Sequence, residues 1–307
     1  MSISVVVPSY GRPDSLRSCL EAIVSQSCAP TEVVVVTRKD DVPTRALIAD
    51  MRAAGRIPVR EEIVDVPGQI GALSAGIAAA DGDLVAITDD DAAPRPGWLA
   101  GMRRLFADPS VVGVGGRDMT WDSFKDSPKS EVGRVRWYGR VIGNHHLGIG
   151  KARDVDVLKG ANMAFRSHAL REHGFDSRLR GNGAQVHNDL RLCLAIRRSG
   201  GRLMYDPEVM VDHRPARRPA GDRRDRSTSQ QQLDAVHNET LALLEFFPLH
   251  RRIGFMIWAL LVGRRQSPGV ARTVLALVRR EGSDPVSRFI ATLQGRWAGW
   301  RTFRTGR

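Results

Sequence analysis

The apolar residues of this chain come first in short unbroken runs and later at helical spacing. ISVVVP (3–8), TEVVVVT (31–37) and LVAIT (84–88) are mostly β-branched runs without alternation, which predicts strands buried on both faces. Between them, Leu16, Leu20, Ile23 and Val24 keep a helical period behind Pro13, a residue suited to a first helical turn. Residues 43–54 also read as a helix, a short strand is expected near 61–65, and the Ala-rich stretch 67–83 predicts a helix closed by glycine. Strands alternating with helices in this way predict an α/β protein with a mostly parallel sheet covered on both faces.

The pattern continues with a strand at VVGVGG (111–116) and a polar, Gly-rich irregular stretch at 119–150, read as a loop near the site. VDVLKGANMAFR (155–166) supplies a strand pair or a strand and turn. LRLCLAIRRSGG (190–201) is a helix with arginines in its last turn and a glycine stop, and RLMYDPEVMVDH (202–213) returns to strand. No internal repeat is present.

After His213 the character changes. Residues 214–232 are rich in Arg, Pro and Ser and read as a linker or flap, and 233–247 read as a helix. RRIGFMIWALLVGRR (251–265) has an apolar centre bracketed by arginine pairs, too short to span a bilayer. PGVARTVLALVRR (268–280) is amphipathic, and RWAGWRTFR (296–304) interleaves Trp, Phe and Arg. The expected organisation is a catalytic domain over 1–215, a basic linker or flap over 216–240, and a helical basic extension over 241–307. Charge supports that division. The net charge is +12, yet the first 213 residues hold 28 basic against 27 acidic groups, while the rest holds 18 against 7. A basic tail beside a balanced domain points to a polyanionic partner, and its aromatic and Arg-bracketed helices favour an anionic membrane surface over nucleic acid. The plainer alternatives are a solvated surface and helices packed on the catalytic domain.

The 307 residues, 42% hydrophobic, suffice for one large domain plus an appendage. Cys19, Cys28 and Cys193 are odd in number and lack CxxC spacing, which argues against a disulfide framework or zinc site and for a reducing compartment. MSISVVVPSY has no basic segment before its short apolar run, so no secretory signal is expected. The expected location is the cytoplasm, peripheral on the inner face of the plasma membrane if the tail docks there.

Asp89-Asp90-Asp91 directly follows LVAIT. In open parallel sheets, ligand sites lie beyond the carboxyl ends of strands. Adjacent carboxylates there repel one another and lose solvation, a cost that a divalent cation such as Mg²⁺ or Mn²⁺ offsets. Alternate residues of an extended segment point the same way, so Asp89 and Asp91 can share a metal while Asp90 faces elsewhere. A solvated turn is the competing reading of the triplet.

The order of these motifs, from the VVP start through GQIGALSAGIAAADGDLVAITDDDAAP, WLAGMRRLFADPSVVGVGGRD, KGANMAFRSHALREHGFD and NDLRLCLAIRRSGGRLMYDPEVMVDH, resembles family 2 glycosyltransferases over residues 3–213. The resemblance implies a GT-A type, Rossmann-like sheet and an inverting, nucleotide-sugar-dependent transfer. It makes Asp89 and Asp91 the metal pair and puts Asp90 near the donor ribose. Pro8, Ser9 and Tyr10 would line the nucleotide pocket, Arg12 would reach base or phosphate, and Gly71 would fall in the donor-site helix. Asp189 falls where the family carries its catalytic base, with Asn188 in place of the usual glutamate. His213 matches a histidine that completes the metal site in some members. The family's second strand commonly ends in an acidic residue that reads the nucleobase; here Thr37-Arg38 stand instead, with Asp40 or Asp41 as substitutes. Lys159 and Asn162 flank Gly160 in a turn expected to face the donor sugar, while Gln185, His187 and Asn188 are acceptor-side candidates beside the base. The expected acceptor is a hydroxyl of a lipid-linked or cell-surface glycan, as in polysaccharide and cell-wall synthesis. Rival readings are a nucleotidyltransferase, whose glycine-rich phosphate loop PSYGRPDS lacks, a nucleic-acid-binding protein using the tail with Trp297, Trp300 and Phe303, and a transferase-like protein without catalysis.

Overall fold

A computed structural model of the chain describes residues 1–55, 58–65, 67–120, 126–214, 229–280 and 284–306. The first half alternates as the apolar pattern requires: β1 (Ile3–Pro8), α1 (Pro13–Val24), β2 (Glu32–Arg38), α2 (Val42–Ala53), β3 (Val59–Val64), α3 (Gln69–Ala79) and β4 (Leu84–Ile87). Then come β5 (Ala92–Pro94), α4 (Trp98–Leu105), β6 (Val111–Met119), the small hairpin β7 (Arg134–Val135) and β8 (Val141–Ile142), β9 (Arg153–Asp154) and β10 (Met163–Arg166). The chain continues with α5 (Ser167–His173), α6 (Asn188–Arg198), β11 (Arg202–His213), α7 (Ser229–Phe246), α8 (Leu249–Leu261), α9 (Val270–Val278) and α10 (Pro285–Thr305).

The large sheet runs β3-β2-β1-β4-β10-β6-β11-β5, with β9 against β11. The pairs β1–β2, β1–β4, β2–β3 and β6–β11 are parallel; β10 lies antiparallel between β4 and β6, with Met163 opposite both Ile87 and Gly115. Because β10 is reversed against both neighbours, β4 and β6 point the same way. The carboxyl ends of β1, β2, β4, β6 and β11 therefore share one edge, where the acidic triplet emerges.

Val5, Val6 and Val7 of β1 and Val33–Val36 of β2 are fully buried, as continuous runs demand when both faces are covered. One face packs on Leu16, Leu20 and Ile23 of α1, Leu47 and Ile48 of α2, and Trp98 of α4. The other packs on Leu73 and Ile77 of α3, Leu170 of α5, Leu190, Leu192, Leu194 and Ile196 of α6 and, continuing the same core, Ala242–Leu244 of α7 and Phe255 of α8. The C-terminal helices thus begin inside the core of the sheet domain. Of the flap expected over 216–240, residues 229–240 belong to α7 and 216–228 lie outside the described residues. Asn238 of α7 accepts a bond from the backbone N–H of Arg180 and donates to the carbonyls of Arg180 and Val186, which pins the loop before α6.

Candidate active site

Each strand end delivers one part of the site. β1 opens into Ser9, Tyr10 and Gly11; Gly11 has φ +68, a region natural to glycine, and its N–H donates to Asp41 Oδ2 at 2.6 Å. β4 opens into Thr88, whose hydroxyl is tied to the carbonyl of Ala161 at 2.9 Å, and then into the triplet. β6 ends in Asp118-Met119 and β11 in His213.

Asp89, Asp91 and His213 offer ligand atoms that all lie within 4.8 Å of one another, and no other such group of metal-binding side chains occurs among the described residues. His213 Nδ1 meets Asp118 Oδ1 at 3.0 Å, while Nε2 lies buried 3.2 Å from Asp91 Oδ1 without an aligned hydrogen bond. A carboxylate on one ring nitrogen, with the other aimed at an acidic pair, is the arrangement that orients an imidazole as a metal ligand. Two hard carboxylate oxygens and one imidazole suit Mn²⁺ or Mg²⁺, with coordination left for ligand phosphates. Asp118 in turn forms an ion pair with Lys159. Burial opposes charge on Asp118, but His213 and Lys159 prevail and hold its carboxyl at about 2. Burial likewise opposes charge on His213, but the hydrogen bond to Asp118 and the nearby Asp91 carboxylate prevail and raise the ring to about 10.

This predicts proton-coupled metal binding. A folded-state value above the free imidazole's means that charged His213 contributes stability below the free value, near 6.5, and loses that contribution as pH rises through about 10. At neutral pH the ring is cationic before a metal binds and must give up a proton to ligate. Mn²⁺ affinity should therefore rise with pH up to that value, and the calorimetric enthalpy at pH 7.5 should change with buffer ionisation enthalpy, with about one proton released. Buffer-independent enthalpy would remove His213 from the ligand set.

Asp90 departs from expectation. It is fully buried, accepts the Ser9 hydroxyl at 2.7 Å and meets Arg12 Nη2 at 2.8 Å, so it holds the first loop instead of facing a ribose. Burial raises its carboxyl to about 7 against the pull of Arg12 and Ser9. Arg12 also donates to Asp91 Oδ2 at 3.0 Å, so the guanidinium expected at the base or phosphate neutralises the triplet in this structure.

Beside the triplet lies a cavity of about 320 Å³, walled by Pro8, Tyr10, Arg38, Gln69, Asp89 and Asp91, with Ser9 and Arg12 also on its surface. That volume accommodates a small ligand. The Arg38 guanidinium lies 4.4 Å from the Tyr10 ring centre, and the Tyr10 hydroxyl donates to the exposed Asp40 at 3.0 Å. Asp40 thus sits at the cavity margin. Asp41 is turned to the backbone: it is buried, caps α2 by accepting Thr44 N–H, and receives the Gly11 N–H. Gly71 lies in α3 between the wall residues Gln69 and Ala72.

Asn162 is a second correction. It is 1% exposed, accepts the Trp98 indole N–H at 2.8 Å and donates both amide hydrogens to the carbonyls of Arg117 and Val209, so in this structure it ties three elements together and does not face the cavity. Asn162→Leu should leave three partners unpaired, two of them in buried bonds, and cost at least about 2 kcal/mol, read as a lowered denaturant midpoint. A fully stable variant with weakened donor binding would restore the ligand role.

Asp189 lies in the first turn of α6, and its Oδ1 accepts the Leu190 N–H at 2.7 Å. Burial raises its carboxyl, opposed by the backbone N–H groups of Leu190 and Gly160 and by the charge of Lys159. Lys159, ion-paired with Asp118, thus also acts on the charge of Asp189. The neighbouring acceptor candidates serve the loop. Gln185 Oε1 accepts the Ile70 N–H at 2.8 Å, Asn188 bonds Gln69 and the carbonyls of Ala184 and Gln185, and His187, with φ +73, is pushed down to about 3 by burial and by Arg264 and Arg296. Sequence reading missed Asp118, Arg38 and Gln69. Asp118 carried a signal, since it continues the run VVGVGG to a strand end.

Residues 2–230 match the sequence family described as glycosyltransferase like family 2. The chain belongs to that family. It is 29% identical over 147 residues to the pre-mycofactocin glycosyltransferase of Mycobacterium tuberculosis, a match covering 48% of this chain and only 30% of that protein. It is 25% identical over 223 residues to the glucosyl-dolichyl phosphate glucuronosyltransferase of Haloferax volcanii, covering 70% of this chain and 69% of that protein. Among solved structures, the mannosyltransferase PcManGT from Pyrobaculum calidifontis in complex with GDP-Man and Mn²⁺ superposes with a TM-score of 0.61 at 18% identity, covering 99% of this chain and 87% of that one. S. aureus TarS 1–349 in complex with UDP-GlcNAc gives 0.63 at 12% identity, covering 100% and 93%. These likenesses establish the GT-A fold, and with the family model they confirm the α/β expectation.

Proposed function

We propose that this family member is an inverting glycosyltransferase that moves a sugar from a nucleotide-diphosphate sugar to an acceptor hydroxyl. The observation that carries the reading is the convergence of Asp89, Asp91 and His213, the two aspartates of which line the 320 Å³ cavity. The nucleotide would lie along Pro8, Tyr10 and Arg38, with its diphosphate toward the triplet. A divalent ion held by Asp89, Asp91 and His213 would supply Lewis-acid stabilisation of the departing diphosphate. Asp118 keeps the His213 ring oriented, and Arg12 offsets the buried charge of Asp90. Asp189 would accept the acceptor proton, its raised pKa bringing it nearer the working pH. One base opposite one leaving group implies direct displacement with inversion. The Haloferax relative, named for a glucosyl-dolichyl phosphate substrate, supports a lipid-linked or cell-surface glycan as acceptor.

The test is a panel of nucleotide sugars with Mn²⁺ or Mg²⁺, scored for nucleoside diphosphate and for anomeric configuration of the product. Release of pyrophosphate instead would favour a nucleotidyltransferase, and a product retaining the donor configuration would refute single displacement.

A further inference from the structure

The three C-terminal helices turn the usual amphipathic order inside out. Helices of a water-exposed protein bury their large aliphatic residues and present polar ones. In α10 the buried side consists of small and polar residues, among them Ala291, Thr292, Gly295, Gly299 and Thr302, with Gly295 and Gly299 closely approached by α7. Its outer side carries Val286, Ile290, Leu293 and Trp297 at helical spacing, Trp297 being 64% exposed. In α9 only Thr273 is buried, and Val270, Val274, Leu277 and Val278 face outward, Val278 at 76%. In α8 Phe255 and Ala259 face the core while Leu249, Ile253, Ile257, Leu260 and Leu261 form a third exposed stripe. α9 packs beside both α8 and α10, so the stripes belong to neighbouring helices. An exposed apolar surface of this extent marks an interaction site.

The charges around it identify the occupant. Among the described residues from Leu249 onward there are eleven arginines and one acidic residue, Asp284. Arg265, Arg272 and Arg288 converge on a small cavity of about 60 Å³ between α9 and α10, where Arg288 donates to the Arg265 carbonyl at 2.7 Å. A cleft lined by three arginines beside aliphatic stripes fits a phosphate whose attached chains are hydrocarbon. A second copy of the same face would bring like charges together, and nucleic acid would leave the aliphatic stripes uncovered. Among the described residues no helix is long and apolar enough to cross a membrane.

We propose that α8, α9 and α10 form a surface that docks in the plane of an anionic bilayer, with Arg265, Arg272 and Arg288 receiving a lipid phosphate. The aliphatic stripes enter the boundary between headgroups and acyl chains, and Trp297 lies at the polar margin. This surface is assigned independently of the transfer reaction, and its test does not involve turnover.

The full chain should sediment with vesicles containing 30% phosphatidylglycerol and much less with pure phosphatidylcholine, with binding reduced by salt. Val274→Glu with Leu277→Glu, both at exposed positions, should lower the partition coefficient at least about tenfold. Arg272→Ala with Arg288→Ala should lower it about fivefold for each arginine removed. Unchanged circular dichroism and thermal midpoint in both variants keep the comparison on the surface itself. Equal binding to the two vesicle types would overturn the proposal, as would wild-type binding by either variant. A stable solution dimer dispersed by the Val274/Leu277 variant, or nucleic-acid binding that displaces vesicles, would assign the face to another occupant and overturn it too.

Discussion

Replacing Asp91 by alanine is expected to lower transfer by about 10²–10⁴-fold, equivalent to roughly 3–5 kcal/mol of barrier. Asp91 is 6% exposed and is the point where three groups converge: Arg12 donates to its Oδ2 at 3.0 Å, His213 Nε2 stands 3.2 Å from its Oδ1, and Asp89 offers a ligand atom beside it. Removal of the carboxylate takes one ligand from the cation site and leaves two positive side chains facing each other. The expected readouts are a weakened Mn²⁺ isotherm and loss of nucleoside diphosphate release with every donor in the panel. Because Asp91 also balances Arg12 and His213, Asp91→Asn provides the control: it keeps the volume while removing the charge, and should lose metal affinity with less disturbance of the thermal midpoint. An alanine variant that bound Mn²⁺ and turned over as wild type would exclude the triplet from the reaction.

The parts of this protein that the sequence disclosed are those where one local rule decides the outcome. Unbroken β-branched runs bounded by turn residues read as strands buried on both faces, so β1, β2 and β4 were legible, and the strand-end rule then singled out the triplet at Asp89–Asp91, whereas His213 and the Pro8–Tyr10 turn were reached only through the family resemblance. Direction was not legible. Nothing in NMAFR states that β10 enters the sheet reversed, because pairing partners are chosen by tertiary packing. β5 is three residues and α4 is eight, too short for a period to emerge. Burial was also hidden: Asn162, Asp41, Gln185 and Asn188 are polar residues in or beside turns, and a side chain that pins a loop has the same letter as one that binds a ligand. The tail's basicity was visible, whereas its inverted amphipathicity required knowing which face of α9 and α10 meets the core.

Asp189→Asn is expected to leave donor and Mn²⁺ binding within about twofold of wild type while lowering kcat by about 10²–10⁴-fold, the range for a positioned general base. The substitution is nearly isosteric, and the amide oxygen can still accept the Leu190 N–H, so the first turn of α6 should persist. What disappears is the carboxylate's capacity to take a proton. Its pKa is raised by burial, with Leu190, Gly160 and Lys159 pulling the other way, so protonation begins at a higher pH than for an exposed aspartate. A protonated Asp189 cannot accept a proton. The wild-type kcat profile should therefore fall on its acidic side with a midpoint above the ordinary aspartate value, and the residual activity of Asp189→Asn should lack that limb. A structural role for Asp189 would instead lower stability and donor affinity together and leave the shape of the pH profile intact, and that pattern would pass the base to another group.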